Sequence, residues 1–94
     1  MAIKGFKDVR LAAIWERETP KGFPADLAAI TRRKLIALDA ADTLVDLRVP
    51  PANRLEALKG NRAGQYSIRV NDQFRLCFRW TAEGPADIEF VDYH

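Results

Sequence analysis

The chain has 94 residues, 48% of them hydrophobic and 30% charged, and a formal net charge of +2. This length and composition predict one globular domain, residues 1–94, with a core large enough to fold alone. No apolar run approaches the ~20 residues needed to span a bilayer, and the first residues lack the pattern of a secretory signal, which argues against a membrane protein and favours the cytoplasm.

Few residues suit redox or metal chemistry. Cys77 is the single cysteine, which excludes an internal disulfide, and its apolar neighbours predict a buried, inert thiol. One histidine and scattered carboxylates give no metal-ligand spacing. The sequence therefore predicts no metal site and no cofactor.

The first half of the chain has a helical pattern. A short opening strand is expected at residues 2–6, followed by a helix at residues 8–18. Pro24 suits the first turn of a second helix. Lys34 lies within the apolar stripe of that helix, so it either extends its ammonium to water or is wrongly phased. The stripe comprises Leu27, Ile30, Thr31, Leu35 and Leu38.

The second half has the pattern of a sheet. Pro50 and Pro51 block a helix and predict an extended linker. Three antiparallel strands follow at residues 65–70, 74–80 and 86–91. This order predicts an α+β fold in which helices cover the apolar sheet face. The other face, expected to be open to solvent, carries Ser67, Arg69, Arg75, Cys77 and Arg79.

Positive charge is concentrated in this second half. Residues 48–79 hold seven arginines and lysines against two acids, a net charge of +5, whereas residues 80–94 hold four acids and no lysine or arginine. Clustering of this kind is typical of proteins that bind a polyanion. A solvated basic face without a ligand is the alternative.

The sequence resembles the HigB toxins, known also as plasmid-maintenance killer proteins. These belong to the RelE/ParE superfamily of toxin-antitoxin systems. The matching pattern lies in residues 50–65, 67–78 and 91–94. The likeness extends over nearly the whole chain and is most specific from Pro50 onward. It implies a RelE-like fold, with two N-terminal helices packed on a small antiparallel sheet. It also implies cleavage of mRNA in the ribosomal A site and a HigA-like helix-turn-helix antitoxin, with which the toxin would form a heterotetramer.

The resemblance also implies a set of site residues. Glu56 stands where some members of the family have a histidine. A carboxylate can act as a base but repels phosphate, so weaker cleavage is an open alternative. The family's strand arginine matches Arg75, and its basic loop residue matches Lys59. Its C-terminal triplet matches Asp92, Tyr93 and His94.

Each of these residue types suits one task in RNA cleavage, where the 2′-hydroxyl attacks the adjacent phosphorus and no metal is needed. Arg75 and Lys59 are expected to stabilise the charge of the transition state. His94 is the expected proton-transfer residue, because an unperturbed histidine has a pKa of ~6.5. Asp92 would orient a neighbour, and Tyr93 would stack on a base or position a proton. Further candidates for RNA contact, with ordinary ion pairing as the alternative, are Arg54, Arg62, Arg69 and Arg79.

Two other functions fit the same residues. One is a non-catalytic inhibitor of a protein target such as gyrase, as in the ParE branch of the superfamily. The other is a weakened toxin that acts mainly with its antitoxin in operator regulation. The candidate proton-transfer residues favour the nuclease over the non-catalytic inhibitor, which would not need them.

Overall fold

The computed structural model describes residues 1–93. Helices α1 and α2 are followed by four strands that form one antiparallel sheet in the order β1-β2-β3-β4. This arrangement confirms the predicted α+β fold of two helices and a small antiparallel sheet. The helices span Val9–Trp15 and Ala28–Ala40, and the strands span Glu56–Ala57, Gln65–Arg69, Phe74–Thr81 and Gly84–Asp92.

The helices pack on the apolar face of the sheet through the predicted stripe. Thr31, Leu35 and Leu38 of α2 are fully buried, which confirms the phase of the stripe. Lys34 is half-buried, and its Nζ donates a hydrogen bond to Asn53 Oδ1 at 2.5 Å. Within residues 1–93, neither helix is both long enough and apolar enough to cross a membrane.

Two local predictions are wrong. Residues 2–6 do not form a strand, since only Phe6 makes a bridge, to Ile88 of β4. The segment Pro51–Asn53 forms a 3₁₀ turn instead of an extended linker, because a proline at the start of a helical turn needs no N–H partner. Strand β1 was not predicted, since two residues are too few to show alternation.

The basic face of the sheet is only partly open, since Arg79 is exposed but the centre of the face is covered, contrary to the prediction. Ser67 and Cys77 are fully buried and Arg75 is only 6% exposed. The Arg54 carbonyl and the Tyr93 ring both contact Arg75, so the segment before β1 and the residue after β4 cover this part of the sheet. Burial raises the pKa of Cys77, in keeping with the inert thiol expected from the sequence.

Asp8 caps helix α1, and its removal should destabilise the protein in a pH-dependent way. Its carboxylate accepts hydrogen bonds from the backbone N–H and the guanidinium of Arg10. Burial raises the pKa of Asp8, but these bonds outweigh that effect and leave the pKa below its ordinary 3.8. Asp8→Ala should lower the free energy of unfolding by about 1 kcal/mol at pH 7.

A carboxylate whose pKa is lower in the folded than in the unfolded protein stabilises the fold fully above its unfolded-state pKa. This stabilisation is lost as the pH falls through its folded-state pKa. The difference between Asp8→Ala and wild type should therefore shrink below pH 3.8. Urea denaturation at several pH values measures this, with Glu18→Ala as a control at an exposed loop position. A difference that persists undiminished at pH 2 would contradict the assignment of the ionised cap.

Candidate anion-binding cleft

A polar cleft of about 160 Å³ opens beside β1 and the turn between β2 and β3. We call it the Arg75 cleft. Three of its lining residues are arginines, and two are acids, so a positively charged floor is partly balanced by carboxylates. The lining residues are Arg54, Glu56, Arg69, Asn71, Asp72, Arg75 and Tyr93.

Arg75, the second residue of β3, is fixed from behind by three hydrogen bonds. Its Nε donates to Ser67 Oγ at 2.8 Å, and its Nη2 donates to the Arg54 carbonyl at 2.5 Å and to the Ser67 carbonyl at 3.3 Å. These acceptors use three of the five guanidinium protons. Nη1 remains for the cleft, where it lies 3.7 Å from Glu56 Oε1. Such a fixed guanidinium is preorganised to bind an oxyanion.

Two carboxylates occupy the positions that an anion would take beside the cleft arginines. Glu56 pairs with Arg75, and Asp72 pairs with Arg69 at 2.5 Å. The Glu56 side chain is 51% exposed and that of Asp72 is fully exposed. Ion pairs with such exposed partners are worth ~1 kcal/mol or less, so these carboxylates are only weakly held beside the arginines.

The end of β4 brings an aromatic ring to the cleft. The Tyr93 ring lies over the Arg75 guanidinium, with 5.5 Å from Cζ to the ring centroid, and Tyr93 N donates to the Gln73 carbonyl at 2.6 Å. Asp92 accepts a hydrogen bond from Gln73 Nε2 at 3.1 Å and does not line the cleft. The predicted residue His94 lies outside the described residues.

Three other predicted residues lie away from the Arg75 cleft. Lys59 is exposed in the loop after β1. Arg62 donates to Glu89 at 3.1 Å, and Arg79 pairs with Asp87 at 3.1 Å. The structure therefore joins five of the predicted residues in the cleft and leaves these three and Asp92 out of it; the five are Arg54, Glu56, Arg69, Arg75 and Tyr93.

Sequence reasoning missed the residues that shape the cleft without carrying its charge. Ser67 was placed on the correct face of β2 but given no role, although it accepts the Arg75 Nε proton. Asn71 forms the β2–β3 turn through its side-chain oxygen, which accepts from Gln73 N at 2.9 Å and Phe74 N at 2.8 Å. The turn sequence beginning at Asn71 was the available signal. Among residues 1–93, no group of three or more histidine, cysteine and acidic side chains is arranged to hold a metal ion.

Known proteins match the chain over most of its length. The family model described as the RelE-like toxin of type II toxin-antitoxin system HigB matches residues 4–94. A protein of Vibrio cholerae named Toxin HigB-1 is 43% identical over 90 residues, which cover 95% of this chain and 94% of the relative. A protein of Proteus vulgaris named Endoribonuclease HigB is 30% identical over 92 residues, which cover 98% of this chain and 99% of the relative.

Proposed function

Since the chain belongs to the HigB family of RelE-like toxins from type II toxin-antitoxin systems, we propose that it is a ribosome-dependent endoribonuclease that cleaves mRNA. The family that its sequence resembled is thereby confirmed. A toxin of this type has an antitoxin as its partner. The name of the Proteus vulgaris relative, Endoribonuclease HigB, supports the proposed activity.

The fixed Arg75 guanidinium is the observation that carries this proposal. In-line attack by a 2′-oxygen gives a phosphorus centre with added negative charge, which a preorganised donor stabilises best where water is largely displaced. Arg75 is 6% exposed and presents Nη1 to the cleft. Arg54 and Arg69 add positive charge along the same cleft, which suits the phosphates on either side of the cleaved bond.

The reaction needs a proton acceptor and a proton donor in addition to this charge. A base takes the 2′-hydroxyl proton as the 2′-oxygen bonds to phosphorus; the bond from phosphorus to the 5′-oxygen then breaks, and an acid protonates that oxygen. The products are a 2′,3′-cyclic phosphate and a 5′-hydroxyl. Because the RNA supplies its own nucleophile, we propose a reaction that needs no metal. We assign proton transfer chiefly to His94, with the carboxylate of Glu56 as a second base.

The remaining predicted residues support binding. Tyr93, 42% exposed, offers a ring on which an unstacked base would stack, and Asp92 precedes it at the strand end. Lys59, outside the cleft lining, would contact an adjacent phosphate or the ribosome. We propose a HigA-like helix-turn-helix antitoxin, a heterotetrameric complex with it, and action at the ribosomal A site in the cytoplasm.

Mapping of 5′ ends in a purified translation system tests the proposal. The same mRNA is supplied in two versions, one with an intact start codon and one with that codon destroyed. New ends within codons of the translated mRNA alone are expected. Ends on both mRNAs would contradict ribosome dependence. Intact mRNA in both, with folded protein, would contradict the nuclease and would direct attention to gyrase supercoiling and operator binding.

Glu56→Gln should strengthen phosphate binding in the Arg75 cleft. The substitution removes the carboxylate 3.7 Å from Arg75 Nη1 while keeping the side chain's size. Because Glu56 is half exposed, the gain is at most ~1 kcal/mol, about fivefold in the dissociation constant. Titration with an uncleavable 2′-deoxy trinucleotide measures it, with Asp87→Asn as a matched control outside the cleft. Weaker binding by Glu56→Gln would show that the carboxylate contacts the nucleotide favourably.

A further inference from the structure

Lys34 and Asn53 form a hydrogen-bonded pair behind the Arg75 cleft that the proposed chemistry does not use. Asn53 is fully buried, and its Oδ1 accepts from Lys34 Nζ at 2.5 Å. Its Nδ2 donates to the Leu47 carbonyl at 3.1 Å and to the Val49 carbonyl at 3.4 Å. Asn53 therefore joins helix α2 to the loop that leads into β1.

This pair is one peptide bond away from the group that fixes Arg75. Arg54 follows Asn53 with φ 46° and ψ 56°, a left-handed conformation that residues other than glycine adopt only where the surroundings hold it. In that conformation its carbonyl accepts from Arg75 Nη2. Moving the Asn53 side chain would move this carbonyl and release one side of the guanidinium.

We propose that Lys34 and Asn53 are positioning residues for Arg75: by holding Asn53, Lys34 keeps the Arg54 carbonyl in place, and that carbonyl directs Arg75 Nη1 into the cleft. The inference deepens the proposed function, on which its catalytic part rests. Neither Lys34 nor Asn53 lines the cleft, so the effect on an RNA phosphate is transmitted through Arg54 and Arg75.

The environment of Lys34 argues against a purely stabilising role. Burial, together with the positive charges of Arg33 and Arg69, lowers the pKa of Lys34, so its ammonium is held in an unfavourable place. A partly buried position on an apolar stripe is normally filled more favourably by an apolar side chain of similar length. Lys34→Met also leaves the buried Asn53 Oδ1 without this donor, so its thermal unfolding is recorded first; we expect a folded variant in which Arg75 is disturbed.

The test compares Lys34→Met with Arg33→Met. Both remove one positive charge from α2, but Arg33 is exposed, and the hydrogen bond to Asn53 Oδ1 comes from Lys34. The Arg75 Nε–H resonance in a ¹⁵N-labelled sample reports the guanidinium directly, without any substrate. We expect Lys34→Met to shift this resonance and to raise its exchange with water about tenfold, and Arg33→Met to leave it unchanged.

Cleavage kinetics in the purified translation system provide the second readout. A misaligned guanidinium should lower kcat about tenfold with KM nearly unchanged. Lys34→Arg, which keeps a cationic donor, should restore most of kcat, which a general loss of packing would not allow. Arg33→Met should match wild type in both constants.

The outcomes separate this inference from the proposed function. An unchanged Arg75 resonance in Lys34→Met overturns the positioning role, whatever the activity. A changed resonance in a protein whose wild type leaves mRNA intact supports the positioning and contradicts the nuclease. Should Lys34→Met fail to fold, Asn53→Asp, which removes the donors to Leu47 and Val49, is measured in the same way, and an unchanged Arg75 resonance again overturns the proposal.

Discussion

Arg75→Ala is expected to lower the rate of mRNA cleavage by about 10²–10³-fold, the usual cost of removing one preorganised donor to a developing anion. Three protein acceptors, two on Ser67 and one on Arg54, hold the guanidinium. Only a side chain with donors on both sides satisfies them and still presents one nitrogen to the cleft. Arg75→Lys should therefore lose nearly as much activity, although it keeps the charge.

Arg79→Ala is the matched control for Arg75→Ala. It removes an arginine from the same strand, but one that is exposed and paired with Asp87 outside the cleft. Cleavage should remain within a few-fold of wild type. Rates are measured as the appearance of new 5′ ends per ribosome. Because Arg75→Ala leaves buried acceptors without a donor, which costs ~1–3 kcal/mol, each variant's thermal unfolding is recorded first. Equal rates for the two variants would contradict the assignment of Arg75.

Local sequence patterns predicted the helices and the longer strands, because each of these elements depends mainly on residues that are neighbours in the chain. The stripe of α2 is an example, since Leu35 and Leu38 are buried as their spacing indicates. The burial of Arg75 was not predictable in this way. It depends on the Arg54 carbonyl, 21 residues earlier, and alternation along a strand carries no information about what covers its second face.

Charge counting found the cleft arginines but could not separate them from the rest. Arg62 and Arg79 added as much to the basic cluster as Arg69 did, yet both pair with acids of β4. The partner of Arg62 depends on where a loop lies, and that of Arg79 on the β3–β4 register, which shifts between Cys77 and Arg79 through an irregularity in the pairing. A one-residue change of register reassigns every cross-strand pair beyond it, so a net charge of +5 located the region and not the site.

His94→Ala is expected to reduce cleavage by about 10²-fold or more, the usual contribution of a positioned general acid or base. His94 is the one histidine of the chain and follows Tyr93, whose ring lies over Arg75. Its removal should lower kcat much more than it raises KM, because the imidazole acts on protons that move only in the transition state.

Free imidazole distinguishes this role from a structural one. If His94 transfers a proton, millimolar imidazole should restore part of the kcat of His94→Ala, since a diffusing base of the same chemistry replaces the missing one. The same imidazole should not restore Arg75→Ala, whose defect is charge and not proton transfer. Full activity of His94→Ala without imidazole would assign proton transfer to Glu56 instead. Glu56→Gln would then be expected to lose cleavage, although it gains affinity for the uncleavable trinucleotide.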